Sequence, residues 1–133
     1  MSIRNTPVLS VFAAAAFVGV FLSCAAQGQI GPDAQAIAQL KRAGSNLTKA
    51  HPIEFYLYFP TRESADRAAA RIRAFGCGIK RLDRAASGPG WLVLATKTMV
   101  PTETELATLR EAFGRLVKAE GGEYDGWEAQ VVR

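Results

Sequence analysis

Hydrophobic and polar positions change their period several times along this chain, and each change marks an element. Ile53-Glu54-Phe55-Tyr56-Leu57-Tyr58-Phe59 alternates with period two. Ile53, Phe55, Leu57 and Phe59 therefore share one face of a strand, and Glu54, Tyr56 and Tyr58 share the other. Pro60 ends it. Thr61 is placed to cap a helix running to Phe75, with Ala65, Ala68, Ala69, Ile72 and Phe75 along one side and Gly76 as terminator. Cys77 to Leu82 predicts a weaker strand, which the turn residues Ser87-Gly88-Pro89-Gly90 return as a hairpin through Trp91 to Thr96. A second helix opens on Thr102-Glu103-Thr104-Glu105, the pattern of a capping box. Leu106, Leu109, Phe113, Leu116 and Val117 follow within an arc of about 100°, and Gly121-Gly122 stops the helix. Trp127 to Val132 alternates as a last strand.

Ahead of these, Gly31 to Ser45 predicts a short amphipathic helix, opened by Pro32 and Asp33, striped by Ile37 and Leu40, and closed by Gly44. Asn46 to Pro52 is polar and reads as a connector. The order β-α-β-β-α-β, with one apolar side on each helix, predicts the α+β class. Its expected form is a ferredoxin-like antiparallel sheet with two helices on one face, preceded by a short helix and an N-terminal signal segment.

The pattern of residues 1–30 is different. Arg4 is the only basic side chain before Lys41, and it precedes an uncharged run of 15 residues from Val8 to Leu22. As a helix that run spans about 22 Å, short of a hydrocarbon core of about 30 Å. A positive start, an apolar stretch of this length and the small residues after it are the pattern of an export signal. Ser23-Cys24 after apolar residues resembles a bacterial lipobox, which makes Cys24 a lipidation candidate. Ser23, Ala25 and Ala26 equally suit an ordinary signal peptidase, and an uncleaved membrane anchor is the third alternative. The expected division is 1–30 as signal peptide or lipoprotein signal, 31–52 as helix and connector, and 53–133 as the α+β domain. The expected location is the periplasm, free or anchored to a membrane facing it.

A chain of 133 residues with 49% hydrophobic and 21% charged residues is a globular mixture, which excludes long-range disorder, collagen and coiled coil. Two cysteines and one histidine supply neither a disulfide framework nor a zinc site. No cofactor and no metal are implied. Catalysis finds little support. His51 sits in the connector and reads as a solvated loop side chain, and Cys77 reads as a small buried hydrophobe. A small hydrolase resting on His51, Cys77 or Asp125 is the alternative from another class. Gly76-Cys77-Gly78 continues to Arg81 where a phosphate loop needs a third glycine.

Charge divides the chain. Residues 61–84 carry seven basic and three acidic side chains, or +4, whereas residues 101–128 carry three basic and seven acidic, or −4. Opposite charges facing each other across the helix pair is the plainer reading; an arginine-rich patch for an acidic partner is the sharper one. RNA-recognition domains share this element order and place stacking aromatics where Tyr56 and Tyr58 stand. Their third strand needs a basic opening and a second stacking ring, and Gly90-Trp91-Leu92-Val93-Leu94-Ala95 has neither. Nucleic acid is therefore not the expected partner. The two tyrosines are expected either under the N-terminal helix or on a protein-binding face, with cover preferred.

Glu123-Tyr124-Asp125-Gly126-Trp127-Glu128 is the most unusual string, a glycine-containing bend carrying two large aromatics. Together with Phe55-Tyr56-Leu57-Tyr58-Phe59-Pro60, the Phe75-Gly76 helix end and the Gly121-Gly122 stop, it resembles the RraB family of ribonuclease E inhibitors over about residues 35–132. The resemblance implies a ferredoxin-like domain without cofactor or catalytic site that works by binding a protein. The family's named member binds a cytoplasmic endoribonuclease. This chain departs from it in carrying an export signal and in ending at Val131-Val132-Arg133 rather than in an acidic tail. The expectation is a non-enzymatic, exported protein-binding domain, with regulation of ribonuclease E as the alternative. Tyr56, Tyr58, Tyr124, Asp125, Gly126 and Trp127 are the partner-surface candidates. For Gly126 and Trp127 a structural role, permitting the bend and filling space against the sheet, is weighed ahead of partner contact.

Overall fold

The two-residue period of the first strand and the 3.6-residue period of the helices have to bury their apolar sides on one another, and they do so in two layers. The computed structural model describes residues 31–133; the expected signal segment and Cys24 lie outside the described residues. The elements run α1 (Pro32–Arg42), β1 (His51–Phe59), α2 (Arg62–Ala74), β2 (Gly78–Arg84), β3 (Trp91–Met99), α3 (Glu103–Glu120) and β4 (Glu123–Ala129). The strands form one sheet in the order β2-β3-β1-β4, and every neighbouring pair is antiparallel. The expected α+β class and the single antiparallel sheet are borne out.

On β1 the alternation is exact in burial. Ile53, Phe55, Leu57 and Phe59 are buried and Glu54, Tyr56 and Tyr58 are half-buried. Register carries this across the sheet, because Phe55 opposes Ala95 and Trp127, and Leu57 opposes Val93 and Tyr124. Ala65, Ala68, Ala69 and Ile72 of α2 and Leu106, Leu109, Phe113 and Leu116 of α3 close the same core. Phe113 stands at its centre, with ring centroids 5.1 Å from Phe55 and 5.4 Å from Tyr124. The small side chains of α2 let that helix approach the sheet closely, and the larger ones of α3 fill the other half.

Two bulges adjust the faces. In β4 the register shifts between the partners of Phe55 and Leu57, so that two residues, Asp125 and Gly126, oppose Tyr56. Gly126 has φ +99°, which few other residues tolerate. The extra residue reverses the parity of the strand, and Tyr124 and Trp127, three positions apart, both point to the core. In β2 a second shift does the same for Ile79 and Leu82.

Several boundaries differ from expectation. β4 begins at Glu123 rather than Trp127 and ends at Ala129, since the predicted bend is a bulge inside the strand. β1 begins at His51, because His51 and Pro52 pair with Met99 and Thr98. Pro52 is tolerated there: β4 pairing stops at Ile53, so only β3 flanks it. β3 runs on to Met99. Thr102 accepts the Glu105 N–H at 3.2 Å, but the reciprocal half of the predicted box is absent from this helix. A complete box occurs instead on α2, where Thr61 and Ser64 satisfy each other's backbone N–H groups.

His51 is the largest correction. It is a buried strand residue rather than a solvated loop one, with Nδ1 2.8 Å from the Lys49 carbonyl and Nε2 2.5 Å from Ser45 Oγ. Ser45 Oγ also accepts the Val132 N–H at 2.9 Å. The ring thus joins the turn after α1 to the C-terminal segment, a long-range pairing that local sequence does not announce.

Candidate functional site

The face of β1 that carries Tyr56 and Tyr58 is left open by the described residues. α1 does not cover it, contrary to the preferred expectation. Ala36 and Leu40 of α1 enter the main core, and the helix packs beside α3 on the other side of the sheet. A polar contact fixes that position. The Trp127 Nε1–H donates to Asp33 Oδ1 at 3.1 Å, and Arg110 Nε lies 3.1 Å from Asp33 Oδ2. The second contact is a Coulombic pairing off the hydrogen-bond axis, since Oδ2 has no aligned donor among the described residues. Asp33 is 2% exposed and Trp127 1%, so α1 is tied to the helix layer through a buried carboxylate.

The open face has an apolar centre and a charged margin. Leu94 lies in register between Tyr56 and Arg81, and Leu92 between Tyr58 and Asp83. Both leucines are buried although none of the described helices covers this side. The Tyr56 hydroxyl donates to Glu128 of β4, and Lys80 of the outer strand reaches across β3 to pair with Glu54. Arg81 and Asp83 pair along β2 at 3.1 Å. Shallow cavities flank the tyrosines: about 190 Å³ beside Glu54, Lys80 and Glu128, and about 480 Å³ beside Tyr58, Gly122 and Glu123.

The tyrosines register this setting. Burial pushes the Tyr56 phenol above its ordinary value, and the Glu128 carboxylate adds to the effect. Burial raises Tyr58 as well, with Asp125 second. Tyr124 is raised by burial first and then by Asp33. All three rings remain neutral hydroxyl donors at ordinary pH.

The sequence-derived candidates separate into two groups. Tyr56 and Tyr58 stand on the open face with the half-buried Asp125 near Tyr58. Trp127 and Gly126 are buried and Tyr124 packs on Phe113, so these three serve the core and the bulge rather than an accessible surface. Leu92, Leu94, Glu54, Lys80 and Glu128 complete the face and were not singled out by sequence. Their signal was faint: β3 is apolar on both faces, a pattern equally expected of a strand buried on both sides.

The catalytic candidates do not converge on an accessible pocket. Ser45 and His51 approach as a nucleophile and base would, but both are buried and the serine oxygen already holds the C-terminal backbone. Cys77 is a buried free thiol whose pKa burial raises, against a smaller opposing effect of Lys97. That is the setting of an unreactive cysteine. Among the described residues no group of three or more His, Cys, Asp or Glu side chains could hold a metal ion, and no helix is long and apolar enough to cross a membrane.

Comparison with known proteins adds one finding. The model of the RraB family, regulator of ribonuclease activity B, matches residues 32–129. No curated protein and no solved structure matches the chain.

Proposed function

The chain belongs to the RraB family, and from that premise we propose that it is a regulatory domain that acts by binding a protein, without chemistry of its own. The observation that carries this reading is the open sheet face. Tyr56 and Tyr58 beside Leu92 and Leu94, ringed by paired charges, have the apolar centre and polar rim of a protein interface. Tyrosine suits such a site because it offers a large rigid surface with one polar end. The neighbours of the tyrosines on β3 are aliphatic, and Lys80 and Arg81 are already paired with acids, which favours protein over RNA. We read the scaffold as ferredoxin-like, the split β-α-β arrangement with this strand order.

The proposed place of action is outside the cytoplasm. The support is the uncharged run Val8 to Leu22 after Arg4, with Cys24 as the lipidation candidate. A second reading, regulation of a cytoplasmic ribonuclease, is favoured by the family description itself.

One experiment separates these. A photo-crosslinking benzoylphenylalanine is placed at position 58 of the full chain in its native cells, with position 63 on α2 as control. The expected result is a discrete protein adduct from position 58 and none from position 63. An endoribonuclease in that adduct selects the second reading, whereas an envelope protein supports the exported one. No adduct at position 58 overturns the assignment of the face. Intact-mass analysis of the fractionated protein reads location directly: a lipid-bearing mass starting at Cys24, a shorter soluble chain, or the unprocessed chain in the cytosol.

A further inference from the structure

The helix layer carries a second accessible feature, on the side of the molecule away from Tyr56 and Tyr58. Two cavities open there and share Phe75 and Ala112. The first, about 380 Å³, is lined by Arg71, Ala74 and Phe75 from α2 and its end, and by Ala112, Arg115 and Leu116 from α3. The second, about 320 Å³, continues past Phe75 toward Lys97, Met99 and Leu109. Each is within the size range of pockets that take a ligand, roughly 300–1,000 Å³.

The floor is apolar and the rim is cationic. Arg71 and Arg115 are exposed and stand on opposite helices, and no acidic residue lines the first cavity. Among the described residues neither arginine forms an ion pair, and neither does Lys97 of the second cavity, where Glu105 is the single acid in the lining. The contrast with the neighbouring seam is informative. There Arg67 grips Glu120 with Nε at 3.2 and 3.1 Å and Nη2 at 2.8 Å, so the cation of α2 already has its carboxylate on α3. Further along the same two helices Arg71 and Arg115 make no ion pair of their own among the described residues, although Arg71 helps Arg67 hold the Glu120 carboxyl down, and they stand on either side of the half-buried Phe75 ring.

We propose that this groove binds an acidic peptide segment that seats one aromatic or branched side chain on Phe75 and Ala112 while its carboxylates meet Arg71 and Arg115. A guanidinium pairs a carboxylate through two parallel N–H bonds, so two arginines facing across an apolar floor read an acid on each side of an apolar anchor. A free anion would leave the floor unused, and an uncharged peptide would leave the rim unpaired. The inference goes beyond the sheet-face reading and rests only on the general premise of protein binding; it concerns a different surface and a different kind of contact.

The test uses the full chain and a fluorescein-labelled decapeptide of Asp and Glu residues around one Leu-Phe pair, followed by anisotropy at low and moderate salt. Saturable binding is expected, weakening as salt rises. Arg71→Glu with Arg115→Glu weakens it by about tenfold or more, the scale of losing a charge-assisted contact. Arg62→Glu leaves it unchanged. A matching Lys-based peptide binds the reversed variant in preference to the native one. Because Arg71 and Arg115 are exposed, thermal melts by circular dichroism stay close to native and separate lost binding from lost folding. Three results overturn the proposal: no saturable binding, equal binding of an all-acidic peptide lacking Leu-Phe, or equal loss with Arg62→Glu. A single-stranded RNA oligonucleotide displacing the peptide at the same arginines would also overturn it, in favour of a nucleic-acid site. None of these outcomes bears on the cross-link at position 58.

Discussion

Replacement of Trp127 should remove the joint that fixes α1 to the rest of the fold. The indole is 1% exposed and opposes Phe55 in register, while its N–H is held by Asp33 at 3.1 Å. Truncating a buried aromatic to alanine costs about 3–5 kcal/mol. Leaving the buried Asp33 oxygen without its donor adds about 1–3 kcal/mol. For a domain whose whole stability is about 5–15 kcal/mol, Trp127→Ala is expected to be barely folded. Trp127→Phe is the more informative variant, because it keeps an aromatic ring in the core while removing the N–H together with part of the indole. With a urea dependence of about 1.5 kcal/mol per M, losing the donor alone should lower its midpoint by about 0.7–2 M. Asp33→Ala on the Trp127→Phe background should then cost less than in the native chain, which a double-mutant cycle measures. A Trp127→Phe midpoint equal to native, or strict additivity with Asp33→Ala, would refute the claim that this hydrogen bond closes α1 onto the core.

Other expectations are more local. A Cβ on Gly122 would press on the Tyr58 carbonyl oxygen and lie 2.7 Å from Phe59 Cδ1, so Gly122→Ala should cost about 1–3 kcal/mol in urea melts. Gly114→Ala, inside α3 with open space around it, should instead gain up to about 1 kcal/mol. Arg67 holds the Glu120 carboxyl below its ordinary value of 4.5, so this contribution is complete above that pH and is lost as pH falls through the lower folded value. Arg67→Gln should therefore flatten the acid side of the stability profile below about pH 4.5, and an unchanged slope would remove the pair from the account. Tyr56, Tyr58 and Tyr124 are all raised above 10.0, so their contribution is present below that pH and is lost as pH rises beyond it. Tyrosinate absorbance should appear together with loss of the far-ultraviolet signal; reversible titration near 10 in a folded protein would contradict the burial of these rings.

Much of this architecture is visible in local pattern because local pattern is what a half-buried strand or helix is made from. Ile53 to Phe59 could be assigned to two faces from alternation alone, and α3 from the spacing of Leu106, Leu109, Phe113 and Leu116. Thr61 and Thr102 were readable as caps because capping involves only the next three residues. The charge division into a basic α2 region and an acidic α3 region was likewise legible, and Arg67 with Glu120 realises it.

The candidate surface was legible only in part. Tyr56 and Tyr58 could be placed on one face, but whether that face is covered depends on where α1 goes. That choice is made by Asp33, Trp127 and Arg110, residues far apart in the chain. The burial of His51 is hidden from local sequence for the same reason, since it comes from Ser45 and Val132 closing around the ring.

Sequence by itself determined the number, order and apolar sides of the elements, the α+β class and the family, because these depend on periodicity and short motifs. Tertiary structure alone decided that Tyr124 and Trp127 turn inward, through one extra residue at Gly126 that reverses strand parity. It also decided that Leu92 and Leu94 join the tyrosines on an open face, and that Arg71 and Arg115 line one cavity beside Phe75. Pairing register and helix docking bring together residues that share no local pattern, and a surface is the product of that pairing.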